Sequence, residues 1–249
     1  MKKVFFLFIC FCLLLSLGEK TAMAQLQLVP ASILQRVFLI KYGTSIGSSF
    51  TLDIDGKQYL ITAKHVLNGI KKEDKIEIFH KEKWETLNVK VLFCENPATD
   101  IVVMAIPVQL SRTDEVEATS KAMFVSQDVF FLGFPFEMWT YFGELNNYFP
   151  LPFIKKGILS ATDPRNNQGG IFYVDGNNNP GFSGGPIVFY DLNDHKIKIC
   201  GVIHGYINQA NEIPQTALYA KGNSGILVGF MIDSAIEVIK KNPIGVTVK

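Results

Sequence analysis

The chain has 249 residues, 48% of them hydrophobic and 19% charged, with a formal net charge of +1. That is enough apolar material for a sizeable buried core, and a near-neutral chain without basic runs argues against nucleic acid as a partner. No metal-ligand spacing, phosphate-cradling glycine loop or dinucleotide motif occurs, so neither a metal nor another cofactor is implied. The chain opens on a targeting leader. Lys2 and Lys3 precede an uncharged apolar run from Val4 to Leu17, and Ala22-Met23-Ala24 is a small-residue cleavage site. The run is short for a bilayer-spanning helix, which needs about 20 residues. Residues 1–24 are therefore read as a signal peptide, and 25–249 as an exported domain, periplasmic or secreted, with no stable membrane insertion after cleavage. Cys10 and Cys12 lie inside the apolar run, away from the small residues where a lipid-attachment cysteine belongs. Cys94 and Cys200 remain in the exported domain. Both have apolar neighbours and they are far apart in sequence, so two buried thiols and one bridge both stay open.

Short strand-like runs rich in β-branched and aromatic residues then follow one another. They are Val37–Lys41, Ser48–Ile54, Gln58–Ala63, Lys75–Phe79, Trp84–Phe93, Ile101–Ile106, Val129–Leu132, Ile154–Ser160, Ile171–Val174, Ile187–Tyr190 and Ile197–Ile203. Asp55-Gly56 lies between two of them and reads as a hairpin turn. A polar break around Ser111–Ser120 suits a connector between two halves. Residues 134–153 form a long aromatic segment without strand period. It either folds back to bury its own rings or rims a cleft or partner patch. One stretch reads as helix: Asp233-Ser234, then Ala235, Ile236, Val238 and Ile239, with Lys240-Lys241 near the end and Pro243 stopping it. Many short strands with one late helix predict an all-β protein, a sandwich or a barrel.

The densest chemical signal is "NNNPGFSGGPIV", residues 177–188, where Ser183 sits among glycines. Gly181 to Gly185 also fits the G-x-S-x-G elbow of another hydrolase class, but an elbow serine opens a helix, and "PIVFY" reads as strand. A serine nucleophile needs a base and an acceptor that orients the base. His80, in the charged run "FHKEK", and His195, in the polar turn "DLNDHK", read as surface residues. His65 follows an apolar strand in "YLITAKHVL", and Asp100 opens another in "NPATDIVVMAI". A carboxylate entering an apolar strand is costly unless hydrogen-bonded, for example to an imidazole N–H. The order is His65, Asp100, Ser183.

Those residues, with "GSSFTLDIDGKQYLITAKHVL", "TDIVVMAI", "FLGFPF", "KKGILSA" and "VDGNNNPGFSGGPIV", resemble the trypsin-like serine proteases of the chymotrypsin fold. The likeness is to bacterial HtrA-type and glutamyl-endopeptidase-like members, without a PDZ domain. It implies two antiparallel six-stranded β-barrels, over about 25–115 and about 116–230, and a C-terminal α-helix over about 231–241. It implies a polypeptide substrate, His65 as general base, Asp100 as its orienter, Ser183 as nucleophile, and the N–H groups of Gly181 and Ser183 as the oxyanion hole. Phe182 departs from the pattern. In trypsin an acid there pairs with an N-terminus released by zymogen cleavage, so this chain is not expected to activate that way. Asn177, His204 and Gly205 fall where the family lines its primary pocket. His204 there meets an acidic or amide side chain, or else, in a shifted register, hydrogen-bonds near Asp100 or supports the wall. Two other functions remain open on sequence: a silent binding module, if the aromatic segment covers the cleft, and an esterase using the same residues.

Overall fold

The computed structural model describes residues 28–249 apart from 115, 166–168 and 213–218; the expected leader at 1–24 lies outside the described residues. A short helix α1 (Ala31–Leu34) leads into β1 (Val37–Tyr42), β2 (Ser45–Ile54), β3 (Lys57–Thr62), β4 (Glu73–His80), β5 (Lys83–Phe93) and β6 (Val102–Ala105). These pair antiparallel in the order β3-β2-β1-β4-β5-β6, and β3 with β6 closes the ring. A second closed barrel follows, built from β7 (Asp128–Gly133), β8 (Phe153–Asp163), β9 (Ile171–Asp175), β10 (Pro186–Tyr190), β11 (Ile197–Glu212) and β12 (Tyr219–Met231). The helix α2 (Asp233–Lys241) and a last strand β13 (Val246–Thr247) return to the first barrel, α2 against β2, β5 and β6 and β13 beside β3. Among the described residues no helix is long and apolar enough to cross a membrane.

Alternation explains much of this. Along β5, Leu87, Val89 and Val91 point inward while Thr86, Asn88 and Lys90 face water, the period of a half-buried strand. Asp55 and Gly56 both take positive φ, +50° and +71°, as the tight hairpin between β2 and β3 requires. The polar connector is tied down by Arg36, whose guanidinium bonds Asp53 (2.9 Å) and the carbonyls of Arg112 and Asp114 (3.0 and 2.7 Å). Lys198, almost buried, binds Glu117, Asp191 and Asp194 at the other end of the connector. Cys94 and Cys200 are free thiols, each bonded to a main-chain carbonyl, Ile101 for Cys94 and Ile187 for Cys200.

Two readings of the sequence need correction. β12 is absent from the strands named above although its last five residues, "LVGFM", are apolar; its first eight, "YAKGNSGI", carry few apolar side chains and none is buried. They are held as a ribbon by pairing with β11 (Asn208↔Asn223 to Glu212↔Tyr219), not by a core face. His80 is half-buried and bonded, not a free surface residue. Its Nδ1 meets Glu85 (3.2 Å), its Nε2 meets the Asn147 carbonyl (2.9 Å), and its ring stacks on Phe149 at 4.4 Å.

Those contacts show what the aromatic segment does. Phe149 also packs edge-on against Phe38 (4.9 Å) and Trp139 against Phe79 (5.5 Å), while Thr140 and Leu151 pair with each other. The segment leaves the second barrel, straps the first and returns, keeping Phe136, Tyr141, Phe142 and Leu145 exposed.

The barrels also meet through the serine loop. Ser48 N–H donates to the Ser183 carbonyl at 2.8 Å. Gly184, at φ +84°, lies so close that a Cβ there would stand 2.1 Å from Thr62 Oγ1 and 2.2 Å from the Ser48 carbonyl oxygen. We expect Gly184→Ala to destabilise the fold by about 3 kcal/mol, measured by urea unfolding, because backbone and a β-branched side chain block the methyl.

Candidate active site

Strand register places each candidate residue. β3 and β6 pair with Thr62 opposite Val102, so the residues just after β3 and just before β6 emerge at one barrel end. His65 lies there in the 3-10 turn Lys64–Leu67, and Asp100 two residues before β6. The His65 backbone N–H donates to Asp100 Oδ1 (2.9 Å), and His65 Nδ1 meets Oδ2 (2.6 Å). In the second barrel, β10 pairs with β11 from Pro186 opposite Val202, and the Gly184 N–H donates to the Ile203 carbonyl (2.8 Å). That register sets Ser183 beside His204, and the Ser183 hydroxyl donates to the His204 carbonyl at 3.1 Å.

The His204 ring crosses the barrel junction. Its Nδ1 meets the same Asp100 Oδ2 that His65 uses, at 2.5 Å, and the two imidazoles stand edge to face at 5.4 Å. One carboxylate oxygen thus accepts from two histidines while the other accepts a main-chain N–H. Burial would raise the Asp100 pKa, but the hydrogen bonds from His204 and His65 outweigh it and hold the carboxyl at about 2.

These three residues are also the sole group among the described ones that brings three potential metal donors together, within 4.8 Å. The spacing favours hydrogen bonds. Two ligands on one tetrahedral ion with bonds near 2.1 Å lie about 3.4 Å apart, whereas here both nitrogens sit 2.5–2.6 Å from one oxygen.

Gly181 takes φ +100°, and a Cβ there would sit 2.1 Å from the Phe134 carbonyl oxygen, so only glycine fits. Its carbonyl is held by the Ser48 hydroxyl (2.7 Å), which itself accepts from Phe134 N–H (3.0 Å). The N–H groups of Gly181 and Ser183 have no hydrogen-bond partner among the described residues, leaving two donors unused in the serine loop. The Asn177 Oδ1 accepts from Asn223 (2.9 Å), and a Cβ on Gly205 would meet open space.

Residues 47–193, more than half of the chain, match the model of the trypsin-like peptidase domain. The chain belongs to the trypsin-like peptidase family. It carries the two-barrel fold of the serine endopeptidases, as its structural neighbours do. The HtrA-type protease AlgW with a tripeptide superimposes at TM-score 0.58 with 21% identity, over 84% of this chain and 60% of that one. A serine-to-alanine form of AlgW gives TM-score 0.58 and 19% identity over the same shares. An inactive serine-to-alanine form of Rv3671c from M. tuberculosis gives TM-score 0.54 and 15% identity, over 85% of this chain and 88% of that one. The peptidase chain therefore spans three-fifths of the AlgW chains it resembles. No curated protein matches it.

Two residues around the peptidase's serine loop escaped the sequence reading. Ser48 carries a buried hydroxyl in the apolar run "IGSSFTL", a polar residue among strand apolars that is the one available signal. Lys155 donates to the Asn177 carbonyl and to Asn179 Oδ1, and nothing in "FIKKGIL" separates it from Lys156, which pairs with Asp128.

The carboxylate of the peptidase also carries a stability prediction. A carboxyl at about 2 in the fold, against about 3.9 unfolded, contributes about 2–3 kcal/mol. The contribution is complete above about pH 5 and is lost progressively as pH falls through about 2. Urea unfolding of wild type and Asp100→Asn between pH 2 and 6 should show a gap that closes in acid.

Proposed function

We propose that the chain is an exported serine endopeptidase in which Ser183 attacks the scissile carbonyl and His65 takes its proton. The observation carrying this is the Asp100 carboxylate bonded to His65 Nδ1 at 2.6 Å, across the barrel junction from Ser183. That bond fixes the proton on Nδ1 and leaves Nε2 free to act as base. The Ser183 hydroxyl, now on the His204 carbonyl, shifts its hydrogen bond to His65 Nε2 when substrate arrives, a tightening common when sites fill.

Oγ then bonds the carbonyl carbon, its proton passes to Nε2, and the oxygen gains charge opposite the N–H groups of Gly181 and Ser183. Collapse expels the amine, which leaves with the proton from His65, and an acyl-enzyme remains. Water attacks that ester while His65 again accepts the proton, then returns it to Ser183 as the acid product departs.

The His65 and His204 side chains are 45% and 44% exposed, so the aromatic segment does not cover them, and a turnover-competent site is favoured over a silent one. His204 has a narrower range of partners than its position alone suggests. With its Nδ1 proton given to Asp100, a neutral His204 offers Nε2 as an acceptor, which suits a substrate amide. An acidic side chain needs the doubly protonated ring. Cleavage of a peptide mixture, with Ser183→Ala as control, tests the reading. Cleaved amide bonds with enrichment of Gln at the scissile residue support it in full, and enrichment of Glu or Asp instead means that substrate meets a doubly protonated His204. Cleavage without that enrichment removes the role given to His204, and hydrolysis of esters alone points to an esterase.

A further inference from the structure

Phe182 sits where trypsin keeps the acid that binds its new N-terminus, so the loop leading to Ser183 needs another anchor. Phe182 is fully buried, meets Phe131 edge to face at 5.5 Å, and leaves no room for a Cβ on Gly133. Over its ring stands Lys155 Nζ, 5.5 Å from the centroid. The same ammonium donates to the Asn177 carbonyl (2.7 Å) and to Asn179 Oδ1 (2.5 Å). The Asn179 carbonyl in turn accepts the Phe182 N–H at 3.2 Å.

Lys155 is half-buried, and among the described residues no carboxylate pairs with it, although its neighbour Lys156 has Asp128 at 2.7 Å. Burial pushes the Lys155 ammonium's pKa down. A cation partly withdrawn from water and without a counter-ion gains from carbonyl dipoles and a ring face, and this loop supplies both. Its contacts fall at 177, 179 and 182, which bracket Gly181.

We propose that Lys155 is a positioning residue whose ammonium pins the loop 177–182 and so holds the Gly181 and Ser183 N–H groups in register for the oxyanion. It does within the chain what an N-terminal ammonium released by cleavage does in trypsin. The inference rests on the proposed reaction and adds to it that the oxyanion loop is ordered without a cut in the chain.

The test compares Lys155→Met, which keeps length and loses charge, with Lys155→Arg in the full chain. Hydrogen exchange followed by mass spectrometry is expected to rise in peptides spanning 177–185 of Lys155→Met, and to stay at wild-type level in the barrel strands. Its kcat on a cleaved peptide should fall by roughly 10- to 100-fold with a smaller change in KM, as a displaced donor pair predicts. Lys155→Arg should recover most of that loss. Unchanged exchange over 177–185 in Lys155→Met would overturn the proposal, as would an arginine variant no more active than the methionine one. Exchange reads the loop without turnover, so a wild-type protein that cleaves nothing counts against the proposed reaction while exchange still decides on Lys155.

Discussion

Ser183→Ala is expected to lower kcat for peptide hydrolysis by about 10⁶-fold, the scale on which a nucleophile and its base act as one unit. The fold should survive. Among the described residues the hydroxyl makes one hydrogen bond, to the His204 carbonyl, and the loop is held instead by main-chain bonds from Ser48 to the Ser183 carbonyl and from Gly184 to the Ile203 carbonyl. Equal melting temperatures with loss of turnover assign the effect to chemistry. A comparable loss of stability would instead make Ser183 part of the turn's framework.

Asp100→Asn should cost about 10⁴-fold in kcat, as the same change does in the template triad, and the reason here is unusually strict. Oδ2 accepts from both His65 and His204, while Oδ1 accepts the His65 main-chain N–H. An asparagine has one acceptor and one donor end. With its oxygen toward the rings, its amine faces the His65 N–H. Flipped, its amine faces both Nδ1 atoms and drives both imidazoles into the tautomer with the proton on Nε2, where His65 can no longer act as base. His204→Ala, which removes one of the two ring bonds and leaves His65 its own, should cost far less. Steady-state rates on one peptide for the three proteins check this ordering. A His204→Ala loss equal to that of Asp100→Asn would mean that His65 is oriented through His204.

The residues with the clearest sequence signal are those at the ends of apolar strands. His65 closes "YLIT", Asp100 opens "IVVMA" and Ser183 precedes "PIVFY". Burial on one side and glycine or polar turns on the other mark such positions, and the pairing of β3 with β6 and of β10 with β11 turns those strand ends into neighbours. What the sequence left open, as for His204, or left hidden depends on register across the barrels. His204 reaches Asp100 from a residue 104 positions away, and nothing local distinguishes that from lining a pocket. Lys155 and Lys156 are adjacent and identical in type, yet strand alternation sends one to the serine loop and the other to Asp128. The ribbon half of β12 carries no apolar pattern because it buries no side chain. Ser48 is half visible, since a hydroxyl inside an apolar strand asks for a partner but does not name Gly181.

Labelling by a fluorophosphonate probe, with the modified residue mapped by mass spectrometry, tests the central claim most directly. The reagent bonds only a serine whose proton has a base to receive it and whose adduct oxygen finds oxyanion donors. Stoichiometric modification at Ser183, abolished in Ser183→Ala and strongly slowed in Asp100→Asn, is the predicted result. A folded, intact protein that never labels at Ser183 would contradict the account.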